Sequence, residues 1–278
     1  MPDLTGLRDL TALAEVTGLA ARPAISLAEV MTAAPATTRV DRKYLVRRTV
    51  GEEFIATAPD SLRILTIDGR LMTSYRSTYF DTPDLMTARA HVQRRRRRWK
   101  ARSRLYLEDG LCRLELKVRD GSGLTRKYFQ ISASAEHGQM TADTDAFFRG
   151  QLLALGLPSA LALEPSAEVS YRRATLADPV TGARVTIDFG VRGTRHGHSV
   201  EVDPGCLIIE TKGGQIPGVA DRLLAGLGAR QVSFSKYAAT TSLLDPRIAD
   251  NDVRHLVGRD LHVTTTTRPS GDNLRRTA

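Results

Sequence analysis

The segment RRRRRWKARSRLYL, residues 94–107, carries the clearest indication of fold class in this chain. Basic and apolar side chains alternate along it with a period of two residues. Lys100, Arg102 and Arg104 fall on one face with the other even-numbered residues, whereas Trp99 and Leu105 fall on the opposite face. A two-residue period is typical of a β-strand rather than an amphipathic helix. The segment therefore predicts a strand with one charged face and one apolar face.

Several other segments repeat this alternation. Residues 111–119 place Arg113, Glu115 and Lys117 on one face and Leu114 and Leu116 on the other. Similar patterns and their flanking residues predict further strands at 39–46, 76–81, 124–131, 184–189 and 207–212, and helices at 143–156, 217–227 and 236–244. Because strands outnumber helices and follow one another closely, we expect an α+β fold with a mostly antiparallel sheet.

The charge balance points to an anionic partner. The 278 residues include 40 Lys and Arg against 31 Asp and Glu, which gives a formal charge of +9. Such a surplus is compatible with nucleic acid, a membrane surface or phosphate. Only six of the basic residues are lysines, and each sits in or beside a predicted strand or strand end. They are Lys43, Lys100, Lys117, Lys127, Lys212 and Lys236.

Other features exclude whole classes of protein. No stretch approaches the roughly 18 apolar residues that a membrane-spanning helix needs. Two cysteines, Cys112 and Cys206, cannot form a disulfide scaffold. No basic segment followed by an apolar run marks a signal peptide, so we expect a cytoplasmic location.

The chain divides into three parts. Residues 1–37 are expected to be a peripheral N-terminal segment, and residues 38–250 to be the folded domain. Residues 251–278 are expected to be a C-terminal tail, largely disordered, because the end of the chain lacks apolar periodicity.

The charged strand faces allow two interpretations. They can face bulk water, as one side of an antiparallel sheet often does. Alternatively, the sheet closes into a barrel and the charged faces line its interior. Like charges on neighbouring strands repel each other, so a basic face is costly unless an anion compensates it. A channel of Arg and Lys with a few carboxylates suits a polyanion together with a hard metal ion.

A series of motifs supports the second interpretation. In chain order they are Arg39-x-Asp41-x-Lys43-Tyr44, Ser77-x-Tyr79-Phe80-Asp81-Thr82, Lys100-x-Arg102-x-Arg104-x-Tyr106, Leu114-Glu115-Leu116-Lys117, Arg126-Lys127, Arg184-x-Thr186-x-Asp188, Glu210-x-Lys212 and Ser235-Lys236-Tyr237. This ordered set resembles the VTC domain, the polyphosphate polymerase module of the triphosphate tunnel metalloenzyme (CYTH-like) superfamily. The resemblance implies a closed antiparallel β-barrel with helices packed outside and a tunnel that binds triphosphate or polyphosphate.

The resemblance also implies an activity and a set of site residues. The activity is transfer of the γ-phosphoryl group of ATP to a growing polyphosphate chain, with Mn²⁺ or Mg²⁺. The residues that match the family's phosphate-binding cations are Lys43, Arg102, Arg104, Lys117, Lys127, Arg184 and Lys236. Further substrate contacts are expected from Lys100, Lys212, Ser235 and Arg39. Glu210 matches the metal-binding glutamate, and Glu115 is a second candidate that could equally pair with Lys117 or Arg113.

Two other functions remain open. One is a triphosphatase of the same fold, in which water replaces the phosphate acceptor. The other is a non-catalytic binder of polyphosphate or nucleic acid, to which the basic run 94–98 beside Trp99 could contribute. Because Trp99 lies on the apolar strand face, we expect it to pack under a helix and expect no nucleic-acid partner. Export of a polymer would require a separate membrane protein.

Overall fold

The alternating segments form one large sheet in the computed structural model, which describes residues 18–33, 40–122, 125–233 and 235–265. The strands in these residues are β1 (Ala24–Ser26), β2 (Val40–Arg47), β3 (Arg63–Thr66), β4 (Thr73–Asp81), β5 (Arg98–Tyr106), β6 (Leu111–Arg119), β7 (Thr125–Ser132), β8 (Glu164–Ala177), β9 (Arg184–Arg195), β10 (His198–Val202), β11 (Cys206–Gly213) and β12 (Leu261–Thr264). The helices are α1 (Leu27–Ala33), α2 (Arg48–Thr57), α3 (Met86–Val92), α4 (Ala142–Ala154), α5 (Val219–Gly226) and α6 (Lys236–Leu244).

The strands follow an antiparallel path. Its order is β7-β6-β5-β4-β8-β9-β11-β2, and every neighbouring pair along it is antiparallel. Strands β10 and β12 extend the sheet from β9, and β3 extends it from β8. The short β1 pairs with β3 in parallel. The predicted antiparallel sheet with helices is therefore confirmed.

The expected closure into a barrel is not confirmed, because no ladder joins β2 to β7 in the described residues. The physical reason lies at the free edge of β2. The carbonyl of Lys43 there accepts a hydrogen bond from the amide of Val232 at 2.8 Å, and Tyr44 forms a bridge with Gln231. The loop between α5 and α6 thus uses the backbone groups that a closing strand would need. Side chains span the gap instead, since Lys117 of β6 contacts Asp41 of β2.

The apolar strand faces pack against the helices. Trp99, Leu114 and Leu116 form a cluster with Phe147 and Phe148 of α4. Each such side chain contributes about 1.5–3 kcal/mol when fully buried. Trp99 is buried in this cluster, so the prediction that it packs under a helix is confirmed. A second cluster lies beneath α2 and α5, and a third beneath α3 and α6. The charged faces are therefore left on the concave side of the sheet.

Both terminal predictions need correction within the described residues. In the N-terminal segment, Arg22 donates hydrogen bonds to the carbonyls of Ile55, Ala58 and Leu62, and Leu19 is fully buried. Residues 18–33 are thus packed against the domain rather than peripheral. Residues 254–264 form a 3-10 helix and strand β12, so the tail does not begin at 251. The short pattern from Leu256 to Val263 was too brief to indicate this pairing. Residues 266–278 lie outside the described part of the chain.

The helices of the described ranges include none that combines the length and the apolar character needed to cross a bilayer.

A cation-lined cavity as the candidate functional site

A cavity of about 610 Å³ lies on the concave side of the sheet. Its described lining includes eleven Lys and Arg side chains and three carboxylates. All six lysines of the sequence are among them. The structure brings together twelve of the predicted site residues, which are Lys43, Lys100, Arg102, Arg104, Glu115, Lys117, Lys127, Arg184, Glu210, Lys212, Ser235 and Lys236. The thirteenth, Arg39, lies outside the described residues.

Strand register arranges these side chains in layers. Directly opposed residues on antiparallel strands share a face, and successive layers on one face are two residues, or ~7 Å, apart. Lys100 of β5, Lys117 of β6 and Lys127 of β7 form one layer. Arg102 and Glu115 belong to the next layer. The alternation seen in the sequence therefore becomes a stack of charged layers along the cavity wall.

Glu115 is the anion of one cluster. Its carboxylate accepts a hydrogen bond from Arg102 Nε at 2.7 Å and forms an ion pair with Lys127. Burial opposes the charge of Glu115, but Arg102, Arg104 and Lys127 together hold its pKa well below the usual value. Partial loss of solvation lowers the pKa of Lys127 to about 8, although its side chain is still 42% exposed and Glu115 acts in the opposite direction. Because these cations use the carboxylate oxygens, Glu115 fits an ion-pair role better than a metal-binding role.

Asp188 is the anion of a second cluster and is fully buried. Arg173 contacts both carboxylate oxygens, with Nε at 2.6 Å and Nη2 at 2.8 Å, and Lys236 Nζ contacts Oδ2. Burial alone would raise the pKa of Asp188, but Arg173 and Lys236 lower it to about 2. The carboxylate is therefore charged at neutral pH and holds two cavity cations in position.

Arg173 lines the cavity but is not among the predicted site residues. It lies on β8 and shares a strand face with Tyr171, which also lines the cavity. The ladder between β8 and β4 is continuous from Val169 to Arg173, so the alternation of faces is kept here. No strand was predicted in this part of the sequence, and the two-residue spacing of Val169, Tyr171 and Arg173 is the signal that could have identified the residue.

Glu210 differs from the other two anions. Its nearest cations are Lys212 Nζ at 3.6 Å and Lys43 Nζ at 3.8 Å, both longer than a hydrogen bond. Burial raises the pKa of Glu210, but Lys212, Lys43 and Arg173 bring it well below the usual value. Burial in turn lowers the pKa of Lys212 to about 8. Glu210 is thus a charged carboxylate without a short ion pair to Lys43 or Lys212.

This geometry fits a divalent cation that is bound partly by Glu210 and partly by phosphate oxygens. The described residues contain no group of three or more His, Cys, Asp or Glu side chains that could hold a metal alone. Mg²⁺ and Mn²⁺ in phosphate sites commonly use one or two carboxylates, water and phosphate oxygens. Glu210 matches that need with oxygens that are not used by close cations.

The start of α6 supplies two further site residues. Ser235 is the N-cap, and its hydroxyl accepts a hydrogen bond from the Ala238 amide and one from Lys100 Nζ at 3.1 Å. Burial, and then the charges of Lys117 and Lys43, keep the pKa of Lys100 well below its usual value. An anion bound here would relieve this repulsion.

Asp81 fixes the position of this helix start. Its carboxylate accepts hydrogen bonds from the amides of Thr87 and Ala88 in α3, and from the Tyr237 hydroxyl at 2.5 Å. Tyr237 directly follows Lys236, so the buried Asp81 connects strand β4 and helix α3 to the segment that carries the site lysine.

Two other predicted residues line the cavity and form polar contacts outside these clusters. Lys117 Nζ contacts Asp41 Oδ2 at 2.8 Å, and both side chains are partly exposed. Arg184 lines the cavity and donates a hydrogen bond to the Val30 carbonyl of α1 at 3.3 Å.

A second cavity of about 690 Å³ adjoins the first. The two share lining residues that include Lys43, Lys100 and Lys117. Beyond them, the second cavity is lined by Arg98 and Arg119. The basic surface therefore extends past the Lys100 layer.

Comparison with known proteins assigns the chain to a family. Residues 38–245 match the family profile of the VTC domain. Three solved structures resemble the chain at low sequence identity. HpAC1 from Hippeastrum, a proposed adenylyl cyclase described as having a dominant triphosphatase activity, is 16% identical, covers 73% of this chain and 96% of its own, and has a TM-score of 0.45. A proposed adenylate cyclase from Vibrio parahaemolyticus is 13% identical, with coverages of 74% and 99% and a TM-score of 0.43. The PH1012 protein from Pyrococcus horikoshii is 10% identical, with coverages of 71% and 96% and a TM-score of 0.37.

No curated protein matches the chain in sequence. The profile match spans most of the sequence and contains every predicted site residue, so the resemblance inferred from the motifs is confirmed. The chain belongs to the VTC domain family.

Proposed function

We propose that this protein is a polyphosphate polymerase that transfers the γ-phosphoryl group of ATP to a polyphosphate chain in the cation-lined cavity. One observation carries the proposal: all six lysines of the chain line the same cavity. The other basic residues are arginines. General surface charge in this chain is therefore carried by arginine, and it does not explain why every lysine lies in one cavity. A site with this much positive charge suits a ligand with several adjacent negative charges.

The transfer itself asks little covalent chemistry of the protein. A terminal oxygen of the acceptor chain forms a bond with the γ-phosphorus, and the bond from that phosphorus to the β–γ bridging oxygen breaks, which releases ADP. The attacking oxygen is already anionic, so a side chain need not remove a proton from it. Positioning and neutralisation of charge then supply most of the catalysis.

The cavity residues are suited to these two tasks. Lys212 and Lys127 have pKa values lowered to about 8, so both remain mostly charged at pH 7. Asp188 holds Lys236 and Arg173 in fixed positions, which reduces the reorganisation needed when phosphate binds. Glu210 would hold Mn²⁺ or Mg²⁺, which when bound supplies positive charge to the donor's phosphate oxygens.

The adjoining cavity favours a polymerase over a triphosphatase. A polymerase must hold two polyanions, the nucleotide and the acceptor chain, whereas a triphosphatase needs one polyanion and water. The second basic cavity provides that additional space. We place the reaction in the cytoplasm, where ATP is available.

The test is incubation with ATP and Mn²⁺, followed by separate assays for polyphosphate and free orthophosphate. We expect polymer to accumulate together with ADP. Release of orthophosphate without polymer would identify a triphosphatase instead. Binding of polyphosphate without any turnover of ATP would identify a non-catalytic binder.

A further inference from the structure

Two aromatic side chains and one arginine form a patch at the edge of the concave face. They are Tyr106 of β5, Arg113 of β6 and Phe129 of β7. The Arg113 guanidinium lies 5.3 Å from the ring centre of Tyr106 and 5.2 Å from that of Phe129. These distances are within the range of a cation–π interaction. Phe129 is nevertheless 58% exposed. A large aromatic ring is therefore held by a neighbouring arginine and left open to solvent.

Strand register connects this patch to the phosphate site. Phe129 is paired with Glu115, and Glu115 forms ion pairs with Arg102 and Lys127. Phe129 also shares a strand face with Lys127, from which it is separated by two residues, or ~7 Å. The exposed ring thus lies in the layer of Arg102 and Glu115, next to the layer that holds Lys127.

The surroundings of the ring determine which occupant suits it. The edge strand β7 also carries Arg126 and Lys127, both exposed, so a second copy of this basic surface would meet charge of the same sign. A nucleoside triphosphate has complementary chemistry, because it joins a polyanion to a flat aromatic base. Aromatic side chains stack on bases of every type, since each base has a π face.

We propose that Phe129 is the stacking surface for the nucleobase of the nucleoside triphosphate donor. The proposal rests on the proposed function, because it assumes that the triphosphate occupies the adjoining cavity. The base then lies at the Phe129 layer, and the phosphates extend past Lys127 towards Lys100. Arg113 acts as a positioning residue that fixes the ring. Stacking does not select one base, so GTP binds Phe129 as well as ATP does.

Calorimetric titration of the full chain in metal-free buffer tests this assignment with two ligands, ATP and inorganic triphosphate. We expect Phe129→Ala to weaken ATP binding about tenfold, or ~1.4 kcal/mol, which lies within the range of one base–aromatic stack. Triphosphate has no base, so its affinity should not change. Phe129→Trp should retain ATP affinity. Ile131→Ala is the matched control, because Ile131 lies on the same strand, is 65% exposed and has no ring.

Other outcomes overturn the proposal. Equal weakening of ATP and triphosphate in Phe129→Ala would show an effect on the phosphate site rather than on the base. Unchanged ATP affinity, with a lower oligomeric state by light scattering, would show that the ring contacts a second copy of the chain. Wild-type protein that binds neither ligand would overturn the phosphate site itself and the base assignment with it.

Discussion

Replacing Asp188 by asparagine tests whether this buried carboxylate holds the cavity cations in place. The side chain of Asp188 is fully buried, and those of Arg173 and Lys236 are 13% and 10% exposed. The variant removes the carboxylate that forms ion pairs with both cations, in a poorly solvated site. Breaking a buried ion pair from one side costs about 3–5 kcal/mol. For a chain of this size, ~3 kcal/mol corresponds to a fall in Tm of about 6–12 °C.

The same variant should respond more strongly to a polyanion. In the wild-type protein, triphosphate at a hundred times its Kd adds about 2.7 kcal/mol to the free energy of unfolding. In Asp188→Asn the ligand also neutralises two cations that have lost their partner. We therefore expect a larger rise in Tm with triphosphate than the wild type shows at the same concentration, measured by differential scanning calorimetry.

Asp245→Asn provides the matched control. Asp245 is also a buried carboxylate, and it pairs with the buried Arg195 at 3.0 Å, but neither residue lines the cavity. This variant should lose stability and show a triphosphate shift like that of the wild type. The reasoning is refuted if the two variants show the same triphosphate shift, or if Asp188→Asn melts at the wild-type temperature.

Three further predictions follow from the cavity. Lys236→Ala and Arg102→Ala should each lower ATP turnover about a hundredfold, because each removes a fixed cation near the transferred phosphate; the exposed Arg149→Ala is the control, and wild-type turnover in both variants would contradict the site. Triphosphate affinity should fall between pH 7 and pH 9, because Lys212 and Lys127 lose charge near pH 8, and Lys212→Arg should weaken this dependence. The free energy of unfolding without ligand should change in the opposite direction. Both folded-state pKa values lie below the value for lysine in the unfolded chain, so the two charges destabilise the fold fully below pH 8. This destabilisation decreases as the pH rises from 8 towards about 10.5. Glu210→Gln should raise the Mn²⁺ concentration for half-maximal activity about tenfold and leave triphosphate binding in metal-free buffer intact; Asp41→Asn is the control, and superimposable Mn²⁺ curves after scaling would exclude Glu210 from the metal site.

The sequence was informative where one strand face is charged and the other apolar. In β5 and β6 the alternation predicts both the strand and its orientation, because side chains on successive residues point to opposite faces. This is why Lys100, Arg102 and Lys117 could be assigned to one surface without a structure. The motif order then supplied residues on other elements, such as Lys43 on β2 and Lys236 at the start of α6.

The remaining features depend on contacts that no local pattern encodes. Arg173 escaped prediction because the faces of β8 mix polar and apolar residues, and only the pairing of β8 with β4 and β9 shows that this side chain meets the cavity. Closure of the barrel was expected, but the Val232 amide bonds to the β2 edge from a loop far along the chain. The hydrogen bonds that Arg22 donates similarly require the carbonyls at the end of α2. These carbonyls lie more than thirty residues further along the chain. Each depends on long-range packing rather than on local periodicity.

The most direct test of the cavity as the phosphate site is a crystal structure of the protein with inorganic triphosphate and Mn²⁺. We predict phosphate oxygens within hydrogen-bonding distance of Lys43, Lys117 and Lys236, with Mn²⁺ bound to Glu210. Triphosphate bound to the exposed arginines of residues 94–97, with no phosphate in the cavity, would contradict the account.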